Sequence, residues 1–335
     1  MDPGPDVPRA LLDALFCISE MSQPSARASL LEEAERQGVV PGPEETQMET
    51  ALRLWMADPE ALLARHAELA MLRVRSFEYF SAVEEEAELS FSPDQSLQAM
   101  EKALDIWFES KGRGRGTRIH AYPRGSEIWF LLRRGDLYKR VVALEGGDRR
   151  SLGYRPEKYD VVVYSQLTNE LGINAESKAI RDQYRKQFSY YLFGRDNHFG
   201  GTSKYTLEPL RSLGESALNV LDVHGIQWVR LAELRYLVPD PIPTLTTRKA
   251  EDVFVSLRAK SRLVQSTWQL KRATFKVRFD DNPKPRTVTI KPANVALYTR
   301  DSDSLVVEEW LTCRGFIEQG TIHDCAQRQF ILPSL

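Results

Sequence analysis

The chain has 335 residues, 42% of them hydrophobic and 27% charged, with a net charge of −2. That length suits two or three domains with cores of their own, and no run approaches the roughly 18–20 apolar residues of a membrane-spanning helix. The opening MDPGPDVPRA lacks the basic and apolar regions of a signal peptide, and three cysteines (Cys17, Cys313, Cys325) are too few for a disulfide framework. A cytoplasmic location is therefore expected.

Charge is unevenly spread. Residues 1–100 carry 19 acidic and 7 basic side chains, so the rest of the chain is strongly basic. Such asymmetry predicts that the two regions meet different partners or each other. Arg9–Met21 sets Leu11, Leu12, Leu15, Phe16 and Ile18 at helical spacing. Pro24 fits the first position of a second helix, which Gly38 closes. Glu44–Met56 brings Met48, Leu52 and Trp55 onto one side, and Asp58-Pro59 starts a helix through Leu62 and Leu69. A further helix through Leu97, Met100, Leu104, Trp107 and Phe108 ends at Gly112. Phe77, Tyr79 and Phe80 read as core residues between helices. An acidic, all-helical domain is predicted over 1–111.

The character changes at KGRGRGTR, whose alternating glycine and arginine mark a flexible boundary. Arg118–Tyr122, Glu127–Arg133 and Leu137–Leu144 follow as strands, separated by turn residues. Val161–Tyr164 and Leu171–Ile173 form a hairpin. The helix after it carries Ile180, Tyr184, Phe188 and Leu192 on one face; Asn174 is placed to start it and Gly194 to end it. A basic α+β domain over 112–239 is expected, a meander of about five strands on the 176–193 helix. Pro239, Pro241 and Pro243 break the chain. Beyond them 240–335 is predicted as a β-rich subdomain with a short helix, or as a continuation of the same domain. Its strand signals are Val253–Leu257, Thr267–Phe279, Thr287–Ile290 and Val295–Tyr298, and its end is apolar enough to pack. The fold class is α+β, helical first and mostly antiparallel after.

Two patterns bear on chemistry. Asp160 begins a strand, and Glu176 and Lys178 stand sixteen and eighteen residues later, just before a helix. This resembles the PD-(D/E)xK nuclease signature, although Tyr159 stands where proline is usual. The resemblance implies that Asp160 and Glu176 hold Mg2+ or Mn2+ while Lys178 orients or activates water. The second pattern is basic clustering: residues 111–150 hold 11 basic and 4 acidic side chains, and residues 251–290 hold 9 and 4. Lys178, Arg181 and Arg185 share a helix face, and Lys276 and Arg278 alternate with Phe275, Val277 and Phe279. With Arg113, Arg115, Arg118, Arg133 and Arg134, they are the residues expected to meet nucleic-acid phosphates. Cys313, His323 and Cys325 lack zinc spacing, so no metal site is assigned to them.

These features point to a non-enzymatic subunit, with no cofactor, that binds DNA or RNA through its basic part. Its acidic helical part would dock a protein partner. Membership of a bacterial DNA-processing or phage-defence complex would fit, as would oligomerisation, and no membrane partner is expected. The alternatives are the metal-dependent nuclease and a protein-interaction scaffold assembled through oppositely charged halves.

Overall fold

The computed structural model describes residues 7–83, 93–145, 147–239, 241–281, 283–300 and 304–318. The chain divides into two compact units, Met1–Arg73 and Val74–Leu335.

The first unit contains α1 (Arg9–Met21), α2 (Arg27–Arg36), α3 (Gln47–Ala57) and α4 (Pro59–Leu72). Thr46 and Glu49 cap α3 reciprocally, and Asp58 caps α4 with Pro59 in its first turn. Cys17, Ile18 and Met21 pack with Leu30, Ala34, Ala51, Leu54 and Leu62 in a small core. Met48, Leu52 and Met56 line the exposed side of α3. Glu33 is buried in this unit, where Arg36, Gln37 and Arg65 all donate to it.

The second unit opens with a strand, β1 (Ser76–Ser81), followed by α5 (Pro93–Ser110). Then come β2 (Arg118–Arg124), β3 (Glu127–Gly135), β4 (Lys139–Glu145), β5 (Asp148–Tyr154), β6 (Glu157–Ser165) and β7 (Glu170–Asn174). After α6 (Lys178–Phe193) and α7 (Pro209–Ser212) lie β8 (Ile226–Val238), β9 (Thr244–Lys249), α8 (Val253–Arg258), β10 (Gln269–Phe279), β11 (Arg286–Lys291), β12 (Val295–Leu297) and α9 (Ser304–Cys313). Ten of these strands form one sheet in the order β2-β3-β6-β7-β1-β12-β11-β10-β8-β9. Every pairing in it is antiparallel. The chain is thus α+β, with a helical part followed by a mostly antiparallel sheet region.

Two cores cover this sheet. In one, α5 and α6 lay Leu104, Phe108, Tyr184 and Phe188 on Phe130, Leu132, Val162 and Ile173. In the other, α8 and α9 lay Val253, Leu257, Val307 and Trp310 on Leu231, Phe275, Val277 and Val288. Along β1, Tyr79 packs against the second core and Phe80 belongs to the first. Successive strand residues point to opposite sides, so the two cores lie on opposite faces of the sheet.

Several sequence expectations change. Residues 76–81 are a central strand, not helix-packed loop, because Phe77 and Phe80 serve different faces of a sheet completed by distant strands. The helix at 93–110 therefore packs within the second unit, and the compact-unit division falls at Arg73 rather than near 111. No division follows Pro239, since β8 pairs with both β9 and β10 across it. Val253–Arg258 is helical: Asp252 caps it by accepting from the Phe254 and Val255 amides. Ser177 rather than Asn174 caps α6, leaving Glu176 ahead of the helix, while Gly194 ends it at φ 66° as expected. The 137–144 strand lies outside the large sheet, in a separate hairpin with β5. Cys325, His323 and the final apolar segment lie outside the described residues.

Candidate functional site

The residues of the nuclease-like pattern gather around an arginine. Asp160 on β6 and Arg134 on β3 share the sheet face covered by α5 and α6, and they are 3% and 1% exposed. Arg134 Nε donates to Asp160 Oδ2 at 2.5 Å and Nη2 to Oδ1 at 3.3 Å; the Tyr184 hydroxyl adds a bond to Oδ2 at 2.8 Å. The guanidinium also lies over the Phe108 ring, 5.6 Å from its centroid. Burial works against the Arg134 charge, but the Asp160 carboxylate beside it holds its pKa above the ordinary arginine value. Glu176, half-exposed, approaches Arg134 at 3.5 Å and Arg113 at 3.9 Å. Lys178 turns away to Asp182, 2.7 Å distant. A guanidinium thus stands between the two acids, where the resemblance would put a metal ion. Among the described residues, no group of three or more His, Cys, Asp or Glu side chains is placed to hold one.

Most of the predicted phosphate-binding residues have acidic neighbours of their own. Arg113 pairs with Asp136 at 2.6 Å, Arg115 with Glu109 at 2.7 Å, Arg118 with Glu101 at 3.7 Å and Arg133 with Glu157 at 3.7 Å. Arg181 bonds Glu78 on β1 at 2.5 Å, and Arg185 lies over the Phe80 ring. The glycine–arginine run is likewise tied down. Asp105 accepts from the Gly116 and Thr117 amides, and Arg155 donates to the Gly112 and Asp136 carbonyls. Sequence spacing could not reveal these partners, which arrive from other strands and helices.

Lys276 and Arg278 are placed differently. On β10 they stand directly opposite Arg230 and Trp228 of β8, forming a cross-strand square on the face away from Phe275 and Val277. The Arg230 guanidinium lies 4.6 Å from the Trp228 ring centroid and forms an exposed pair with Glu251. Lys276 is exposed and donates to Thr287 on β11; Arg278 Nε is buried with no protein acceptor among the described residues. Farther along the same strands, Arg235 and Arg272 are also opposite one another. Trp228 and Arg230 were the missed members. Alternation of Trp228 and Arg230 with Val229 and Leu231 was the signal that would have found them.

A buried cluster at the middle of the sheet was missed altogether. Arg300 is 8% exposed, and its guanidinium lies 4.0 Å from the Tyr298 ring centroid, 4.7 Å from Phe77 and 5.3 Å from Tyr79. It donates to the Tyr298 hydroxyl, which itself donates to Glu308. Burial opposes its charge, yet the tyrosines and Glu308 hold its pKa above the ordinary value. Lys204 pairs with Glu170 at 2.5 Å and lies over Tyr79. Hydropathy patterns do not register such side chains, because arginine and lysine read as surface residues.

Compared with known proteins, the chain matches no family model and no curated protein.

Proposed function

We propose that this protein binds single-stranded nucleic acid, without cleaving it, across the outer face of β8 and β10. The square of Trp228, Arg230, Lys276 and Arg278 carries this reading. It combines an aromatic ring with three cations on a sheet face, and none of the four side chains belongs to either hydrophobic core. Bases of any identity stack on aromatic rings, and a basic groove follows the phosphates, so binding of this kind needs little sequence information. Arg235 stands farther along the same face, where Arg272 has Glu233 3.8 Å away as its acidic neighbour. The acidic helical unit, with Met48, Leu52 and Met56 exposed beside Glu44, Glu45 and Glu49, supports docking of a basic protein partner.

Fluorescence anisotropy with a labelled oligothymidylate or oligouridylate tests the proposal across a salt series. Wild-type affinity should fall with salt, and Lys276→Glu/Arg278→Glu should weaken it at least about tenfold. The salt slope should flatten by about 1.4, since each single-strand phosphate contact contributes roughly 0.7. Trp228→Ala should cost about 1–3 kcal/mol of binding, the usual worth of one stacked base. Absence of salt-sensitive binding, or binding indifferent to these substitutions, would reject the proposal.

A further inference from the structure

The buried guanidinium of Arg300 is only partly accounted for by its surroundings. Its charge is met by rings, with Phe77, Tyr79 and Tyr298 centroids 4.7, 5.3 and 4.0 Å away. Nη1 donates to the Tyr298 hydroxyl, and Glu308 approaches that same nitrogen at 4.0 Å. Nε and Nη2 are also buried, yet neither has an acceptor among the described residues. These two nitrogens make up one edge of the planar fork, whose parallel N–H bonds match the two oxygens of a carboxylate. A buried donor without an acceptor is costly, and here a whole edge of a cation lacks one.

Other side chains gather at the same place without supplying the acceptor. Around the Tyr79 ring, Arg300 is joined by Lys204 and Tyr205, from the segment between α6 and α7. The Tyr205 hydroxyl is likewise buried without a partner among the described residues, and it lies close enough to feel the Arg300 charge. The nearby acids are engaged elsewhere. Glu170 accepts from Lys204, Glu308 from the Tyr298 hydroxyl and Glu127 from Trp129 Nε1.

We propose that Arg300 and Tyr205 form a binding site for a small monoanionic carboxylate. Nε and Nη2 take its two oxygens side-on, and the Tyr205 hydroxyl donates a further bond. Charge balance selects a monoanion. Glu170 neutralises Lys204 at 2.5 Å, which leaves one guanidinium whose closest carboxylate stands 4.0 Å off. A phosphate dianion would bring a second negative charge beside Glu170 and Glu308, with no cation left to meet it. Phe77 and Tyr79 offer apolar surface to the carbons next to the carboxylate. Tyr79 packs on the core of Phe275 and Val277, so this site lies on the sheet face opposite Lys276 and Arg278 and is independent of the nucleic-acid reading.

Saturation-transfer NMR on the full chain, with acetate and butyrate as probes in a fixed chloride background, reads this binding. Both should bind saturably, and butyrate more tightly. Arg300→Lys keeps the charge but loses the fork, and it should weaken butyrate binding at least about tenfold. Tyr205→Phe removes only an unpartnered hydroxyl and should weaken it about threefold, the usual worth of one hydrogen bond. Circular dichroism confirms folding of each variant; should Arg300→Lys fail to fold, Tyr205→Phe decides alone. Inorganic phosphate should displace neither probe. A wild type that binds neither carboxylate, or binding that a folded variant leaves unchanged, would overturn the proposal. So would displacement of butyrate by phosphate at lower concentration than by acetate.

Discussion

Arg134 and Asp160 occupy adjacent strands two residues apart in register, and they meet beneath α5 and α6 with Nε 2.5 Å from Oδ2. Removing either partner leaves a buried charge without its counter-ion, which typically costs about 3–5 kcal/mol. Asp160→Asn and Arg134→Leu should each lower the urea midpoint accordingly. Replacing both at once, Arg134→Leu/Asp160→Leu, should cost much less than the sum of the single losses. A fully additive result would show that the pair is not coupled.

Lys204 and Glu170 form the second buried pair, 2.5 Å apart beside the Tyr79 ring. Lys204→Met should destabilise the second unit by about 3 kcal/mol, because Glu170 would then be left uncompensated. Adding Glu170→Met should recover part of that loss. Thermal unfolding of the two variants, side by side, checks the sign of the recovery.

Acid should loosen the helical unit through Glu33. Burial alone would raise the pKa of this carboxyl, but hydrogen bonds from Arg36, Gln37 and Arg65 bring it down to about 2. The folded value lies below the ordinary glutamate value near 4.3, so the contribution is present above that pH. It is lost as pH falls from about 4.5 to 2. Glu33→Gln should therefore reduce stability at pH 7 by about 1–3 kcal/mol and remove this part of the acid sensitivity. Helical circular dichroism of the wild type and variant at pH 7 and pH 2.5 measures the difference.

The run from Lys111 to Arg118 looks like a protease-sensitive linker by composition, yet its amides and arginines are bound to Asp105, Glu109 and Asp136. The β4–β5 arm offers Lys139, Arg140, Arg149 and Arg150 on exposed strands. Limited trypsin digestion should nick the arm first, since local opening governs cleavage. First cuts mapped by mass spectrometry to 113–118 would contradict this.

Local chemistry was enough for much of the architecture. The helices of residues 9–72 declared themselves through apolar spacing and caps such as Asp58-Pro59, the sheet through β-branched runs such as Val161–Tyr164, and α6 through its stripe and Gly194. These signals act over a few residues, so they survive in the sequence whatever the rest of the chain does. Tertiary structure decided what each segment meets. Phe77 and Phe80 look like helix-packing residues until β7 and β12, far along the chain, turn 76–81 into a central strand. Asp160, Glu176 and the arginines carry the same types in either setting. Only the fold places Arg134 between the two acids and leaves Lys276 and Arg278 beside Trp228 and Arg230. Periodicity records which side of an element is buried; it holds no information about which distant charge will stand opposite, because that distance is set by strand order and register.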